Sequence, residues 1–155
     1  MDPGSFEEIG PFAQHRQVNF GLAGKKIPAD GVVAGAASVD GRLVHLASQN
    51  FTVLGGSAGE LHSNKVADVM ELALKSGSPF ILVNDSGGPR VQEGIDSLSG
   101  YGRVLCTNVK LSGAGAANLA DLRPLRRRRR LLPGPHRLHD PDAPGPNVHH
   151  RPSGH

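Results

Sequence analysis

Asp85, Ser86, Gly87, Gly88 and Pro89 form the segment of this chain best suited to chemistry. Glycines let backbone N–H groups approach a substrate oxygen with no Cβ in the way. A helix that follows such a loop adds positive potential at its N-terminus. Taken alone, the same five residues also describe an ordinary turn. Other groups are weaker candidates. Glu93 reads as a cap or a partner of Arg90 rather than a general base. His15, His45 and His62 read as structural or surface residues, and Cys106 as a small core residue beside the apolar face of its helix. His136, His139, His149 and His150 lie among prolines with no cysteine and no helical i,i+4 pair, so no metal site is expected. Residues 126–130 are all arginine, but no aromatic residue accompanies them for base stacking, so no nucleic-acid partner is expected.

The loop needs a strand before it and a helix after it. Phe80 to Val83 is a short apolar run bounded by Pro79 and Asn84, which suits a strand buried on both faces. A helix is expected from Val91 to Lys110, with Val91, Ile95, Leu98, Leu105 and Val109 on its core face and Gly102 allowing close approach. Strand, glycine-rich loop and helix together indicate an α/β layer. Upstream, Asp40-Gly41 separates two partly alternating runs, residues 32–39 and 42–48, and predicts an antiparallel hairpin. Ser57 with Glu60 predicts a capped helix through about Ser76. Its apolar stripe is Val66, Val69, Met70, Ala73 and Leu74, and Gly77 with Pro79 ends it. Ser5 with Glu8 predicts a short first helical turn.

The composition changes near residue 113. All six aromatic residues lie at or before Tyr101, whereas residues 123–155 hold seven of the twelve prolines and five of the eight histidines. Those last residues carry eight arginines and two aspartates, against nine basic and twelve acidic residues in 1–122. The basic balance of the chain therefore describes its tail, and a polyanionic partner does not follow from it. A Pro/Arg/His composition of this kind argues for disorder. One cysteine fits a reducing compartment. No run approaches the roughly 18 apolar residues of a membrane helix, and no secretion leader is visible. A cytoplasmic location is expected.

Several longer stretches carry a resemblance. DPGSFEEIGPFAQHR at residues 2–16, NFGL at 19–22, DGVVAG at 30–35, SQNFTVLGGSAGELHSNK at 48–65 and NDSGGPRVQEGIDSLSGYG at 84–102 occur in this order. Together they resemble the carboxyltransferase (β) subunit of biotin-dependent acyl-CoA carboxylases, of the propionyl-CoA carboxylase type. The resemblance covers residues 1 to about 113. It implies an α/β, partial crotonase-like (ClpP/crotonase) spiral fold for residues 1–113, a partial N-terminal carboxyltransferase domain. It implies carboxyl transfer from carboxybiotin to the α-carbon of a short acyl-CoA, propionyl-CoA or acetyl-CoA. The intermediate is an enolate whose oxygen needs preorganised backbone donors. Biotin enters as a co-substrate on a separate carrier protein or domain, with no covalently bound cofactor. The implied partners are acyl-CoA, the biotin carboxyl carrier and biotin carboxylase subunit, and further copies of the chain; no membrane partner is implied. Ser86, Gly87, Gly88 and Pro89 fall on the acyl-CoA loop of this family.

The chain departs from the family pattern. Alanine is usual at 89, where proline has no N–H. Aspartate is usual at 50, where asparagine stands. The leading residues of the pattern are absent before Met1. The GPCAGGA segment that supplies oxyanion donors is absent too, so no catalytic residue is assigned. The second half-domain is missing as well, and the strand at 80–83 is expected to lack the neighbours that follow its helix. One GC-rich coding of residues 123–135, read one nucleotide later, spells GPCAGGAVYSPA, and residues 116–122 similarly yield PQISLIF. Both are what the family places there. Residues 114–155 are therefore expected to be a frameshifted, disordered tail. A transcript and a peptide that confirm one uninterrupted frame across codons 110–130 would refute the shift. Two readings stay open: an N-terminal carboxyltransferase fragment, inactive as it stands, or a non-catalytic truncated product or structural paralogue that associates with intact subunits.

Overall fold

The computed structural model describes residues 1–113 and 117–121; expectations for residues 122–155, including the arginine run and the tail histidines, lie outside the described residues. The first strand, β1 (Glu7–Glu8), replaces the helical turn expected at Ser5. The Ser5 hydroxyl bonds the Asp2 carbonyl at 2.8 Å and receives the Ser38 N–H at 3.1 Å, so it pins the segment to the sheet edge instead of capping. The expected hairpin forms from β2 (Val32–Val39) and β3 (Arg42–Gln49), antiparallel, with Ala34 opposite Ala47. Asp40 and Gly41 take the positive φ angles, 50° and 72°, that the turn requires. The Asp2 carboxylate accepts both of their N–H groups, at 3.1 and 3.0 Å.

A two-residue strand, β4 (Ser57–Ala58), precedes helix α1 (Glu60–Ser76). Strand β5 (Phe80–Asn84) returns parallel to β3. A second short strand, β6 (Gly88–Pro89), leads through one 3-10 turn into α2 (Ile95–Gly113), and β7 (Ala117–Asp121) then pairs parallel to β5. Two consecutive strand–helix–strand crossovers thus build a sheet of order β1-β2-β3-β5-β7, with β4 and β6 paired beside it. Strand β5 has a neighbour on each side, so the bare edge expected there is occupied. This β7 lies beyond the boundary at 113 read from composition. The core joins Val32, Ala34, Ala47 and Phe80 of the sheet to Val66, Val69, Met70 and Ala73 of α1 and Leu111 of α2. The α1 stripe therefore faces where its spacing predicts. Gly77 ends α1 in the left-handed conformation, φ 66° and ψ 19°, its N–H returning to the Ala73 carbonyl.

Helix α2 departs from the expectation in three ways. Gly94, at φ 55° and ψ −123°, breaks the pattern, so the helix starts at Ile95 rather than Val91. The apolar row read as its core face points outward: Val91, Ile95, Leu98, Leu105 and Val109 are all exposed, Val109 at 73%. Cys106 is exposed as well. The buried face is Ser97, Gly100, Thr107 and Leu111. The reason is interhelical distance. A Cβ on Gly100 would lie 2.9 Å from Ser63 Cβ and 3.0 Å from the Glu60 carbonyl oxygen, so α1 approaches only across small residues. Gly102, expected to permit that approach, has nothing within 4 Å of a would-be Cβ. An apolar row this long is a surface that other protein ordinarily covers.

Candidate functional site

Two glycine turns interlock at the carboxyl ends of the parallel strands β3 and β5, where open α/β sheets place ligands. The first is Leu54–Gly56, with Gly55 at φ 66° and Gly56 at φ 65°. The second is the 85–89 loop. Between them there is no room for a side chain: a Cβ on Gly56 would sit 2.1 Å from the Asp85 carbonyl oxygen. The Gly87 N–H donates to the Gly55 carbonyl at 3.0 Å, and the Ser86 hydroxyl donates to the Gly56 carbonyl at 2.6 Å. The Gly88 N–H donates to Ser86 Oγ at 3.1 Å, and the Asp85 N–H to Gln49 Oε1 at 3.2 Å. The Asp85, Gly87 and Gly88 amides therefore all donate within the protein. The register of β4 with β6 places Ser57 beside Gly88 and Ala58 beside Pro89, and the Arg90 N–H donates to the Ala58 carbonyl at 2.8 Å. Because residue 90 points its amide at β4, the backbone nitrogen of residue 89 faces the other way. Proline is tolerated there because no ladder bond is lost, yet it removes the loop amide directed away from β4.

A buried ionic group underlies the loop. Arg90 and Asp30 are fully buried and Glu93 nearly so. Arg90 Nη1 contacts Asp30 Oδ1 at 2.6 Å and Glu93 Oε1 at 2.8 Å, while Nη2 donates to the Ser57 carbonyl at 2.9 Å. The two carboxylates also serve α1. Its N-cap, Gly59, has no side chain to offer, and Ser57 belongs to β4, so the cap expected from Ser57 does not form. Glu93 Oε2 accepts the Glu60 N–H at 2.6 Å instead, and Asp30 Oδ2 accepts the His62 N–H at 2.9 Å. Negative charge at this end is favoured by the helix dipole. Glu93 thus acts both as cap and as partner of Arg90, the two roles read for it from sequence.

His62 sits against this group, 1% exposed, its Nδ1 3.0 Å from the Asp30 carbonyl. Burial lowers its pKa below the ordinary 6.5, outweighing the opposing pull of Asp30 and reinforced by the charges of Arg90 and Lys65. The unfolded chain takes up this proton near pH 6.5 while the folded one resists it. Stability is therefore lost as pH falls below about 6.5 toward the folded value, and is flat in this respect above it. The urea midpoint is expected to drop between pH 7 and about 5.5, and to drop less in His62→Gln; an equal drop in both would remove His62 as the cause. His45 is also lowered by burial and bonds Ser78 Oγ at 2.6 Å. His15 contacts the Lys25 carbonyl at 2.8 Å.

The loop residues read from sequence fall together: Ser86, Gly88 and Pro89 are half-buried and Gly87 is exposed. Missed were Gln49, Asp30 and the Gly55-Gly56 turn that holds the loop. Arg90 was noted only as a partner for Glu93. A charged residue at each flank of a glycine segment was the available signal. Asn50 keeps an acceptor role, its Oδ1 receiving the Thr52 N–H at 3.0 Å and hydroxyl at 2.7 Å, which an aspartate would do equally. A cleft of about 70 Å³ lies among Arg16, Gln17, Glu60, Leu61, Glu93 and Asp96, and residues 85–89 do not line it. Among the described residues no helix is long and apolar enough to cross a membrane.

The family described as the carboxyl transferase domain matches residues 1–120. This chain belongs to the carboxyl transferase domain family. The 12S subunit of methylmalonyl-CoA carboxyltransferase from Propionibacterium freudenreichii subsp. shermanii is 58% identical over 113 residues, 73% of this chain and 22% of that one. A propionyl-CoA carboxylase beta chain from Roseobacter denitrificans is 50% identical over the same span and the same shares. The crystal structure of transcarboxylase 12S, solved with methylmalonyl-coenzyme A and methylmalonic acid bound, superposes with a TM-score of 0.71 at 58% identity, again over 73% of this chain and 22% of that one. The beta subunit of a geranyl-CoA carboxylase from P. aeruginosa, at 19% identity and a TM-score of 0.62, shares the fold over 78% of this chain and 22% of its own. The architecture is thus the α/β crotonase-like one of carboxyl transferase domains. The chain spans about a fifth of the length of these relatives, 22%.

Proposed function

We propose that this carboxyl transferase chain is the N-terminal fragment of a subunit that moves a carboxyl group from carboxybiotin to the α-carbon of a short acyl-CoA, propionyl-CoA or acetyl-CoA. The observation that carries the reading is the pair of interlocked glycine turns at the ends of β3 and β5, in a chain 58% identical to a methylmalonyl-CoA carboxyltransferase subunit. In the reaction, the acyl-CoA loses its α-proton, the enolate carbon bonds the CO2 released from biotin, and the biotin nitrogen takes up a proton. The described residues contribute shape and backbone dipoles. The biotin belongs to a separate carrier, and the partners are that carrier, its carboxylase and further copies of the chain, the last in keeping with the hexamer assembly of transcarboxylase 12S. A cytoplasmic location is part of the same proposal, in keeping with a lone cysteine.

A second reading, a non-catalytic product or paralogue that associates with intact subunits, is favoured by one observation. The Asp85, Gly87 and Gly88 amides are already engaged within the protein, and Pro89 has none to give. Loss of one oxyanion donor costs on the order of 10²–10³ in rate. Titration with propionyl-CoA, beside a carboxylation assay with supplied biotin carrier, separates the readings. We expect weak binding without turnover from the chain as it stands. Pro89→Ala supplies an outward amide and is expected to tighten propionyl-CoA binding up to about tenfold, the worth of one hydrogen bond. Absence of binding by both proteins would end the acyl-CoA reading.

A further inference from the structure

The two ends of the glycine-rich loop are joined through one residue by a run of hydrogen bonds whose directions are all determined. At the entry, the Asp85 N–H donates to Gln49 Oε1 at 3.2 Å. A backbone N–H can only donate, so the Gln49 oxygen faces the loop and its Nε2 faces His62 Nε2, 3.1 Å away. An amide NH2 is likewise only a donor. His62 Nε2 must therefore accept, and the imidazole proton sits on Nδ1. There it meets the Asp30 carbonyl at 3.0 Å. At the exit of the loop, Arg90 Nη1 donates to the Asp30 carboxylate at 2.6 Å. Asp30 thus holds the entry with its main chain and the exit with its side chain. It does so from a left-handed conformation, φ 48° and ψ 34°, unusual for a residue with a Cβ. Backbone held in such a conformation persists only where its surroundings over-determine it.

We propose that Asp30, His62 and Gln49 are positioning residues that clamp the two ends of the 85–89 loop at a set separation and so keep it shaped for an acyl thioester, the last clause resting on the function proposed above. None of the three belongs to the loop itself; they reach it only through the Asp85 N–H and the Arg90 side chain. The clamp has a signature that a merely space-filling role lacks. His62 carries its proton on Nδ1, and the proton's place depends on which end of the Gln49 amide faces it.

Long-range 1H–15N spectra of the full chain at neutral pH read the tautomer directly, and the expected result is an Nδ1–H imidazole. Amide hydrogen exchange reads the loop. Gln49→Leu is expected to speed exchange at Asp85 by about tenfold, as for one lost hydrogen bond, with the α1 amides unchanged. Gln49→Glu keeps the acceptor for Asp85 but presents a second acceptor to His62, so Asp85 stays protected while the His62 spectrum changes. A native His62 with its proton on Nε2 overturns the clamp, as does unaltered Asp85 exchange in Gln49→Leu. If that variant fails to fold, the native tautomer decides. Propionyl-CoA titration is read separately. Equal affinity in native chain and a loosened Gln49→Leu overturns the positioning role. No binding by either the native chain or Pro89→Ala overturns the acyl-CoA reading, and the clamp is then judged by tautomer and exchange alone.

Discussion

Replacing Arg90 by methionine is expected to remove about 3–5 kcal/mol of stability, the usual cost of breaking a buried ion pair from one side. The guanidinium contacts Asp30 and Glu93 together, and all three groups are buried. Methionine fills similar volume, so the effect reports charge and not a cavity. It leaves two carboxylates facing each other at the start of α1 with only the Glu60 and His62 amides to receive them. Several partners are lost at once, including the Ser57 carbonyl bond that ties β4 to the loop exit. The double variant Asp30→Asn with Arg90→Met is expected to recover part of the loss, because the uncompensated charge is reduced while the amide oxygen still caps His62. Urea unfolding of the three proteins measures this. A loss below about 1 kcal/mol for Arg90→Met, typical of an exposed pair, would show that the group is solvated in solution.

Gly56→Ala is the second large effect. Its Cβ would lie 2.1 Å from the Asp85 carbonyl oxygen and 3.0 Å from Ser86 Cα, both backbone atoms that no rotamer change can move aside. The residue also sits at φ 65°, which an L side chain adopts at a cost of about 1–2 kcal/mol. Overpacking adds about 1–3 kcal/mol. The total expected is about 2–5 kcal/mol, with the two glycine turns pushed apart and the Gly87 bond to Gly55 lost. Gly102→Ala is the control: it meets nothing within 4 Å and lies inside α2, so it is expected to stabilise by up to about 1 kcal/mol. Thermal melts of both variants check the pair. Equal melting temperatures would mean that the turns do not interlock in solution.

What was legible in the sequence was local. The Asp40-Gly41 hairpin, the α1 stripe and the Gly77 stop each follow from residues close together in the sequence, and each stands where expected. Contacts between distant segments were not legible. The α1 start matched a capping pattern at Ser57, yet its real caps, Asp30 and Glu93, come from 32 and 33 residues away. Helix α2 shows why periodicity misled. Its apolar row is as regular as that of α1, but regular spacing says only that a face meets something apolar, not that α1 is what it meets. Gly100 against Ser63 marked the true contact, and one glycine among three in the same helix gave no reason to prefer it. In the site, the loop itself was visible as a glycine cluster, whereas Gln49 and Asp30 act through geometry that no motif spells out.

Strand β7 carries a last consequence. Its place beside β5 runs from Ala117 opposite Phe80 to Asp121 opposite Asn84. A parallel ladder joins main-chain groups alone, and those are the same for nineteen of the twenty amino acids. The berth therefore asks for a span of the right length without proline, and Pro124 is the first to follow α2. Side-chain identity enters only where a face must fill a void. A strand at the end of the sheet formed by the described residues, as β7 is, tolerates being rewritten, because what it supplies to the sheet is spelled in peptide bonds and not in codons.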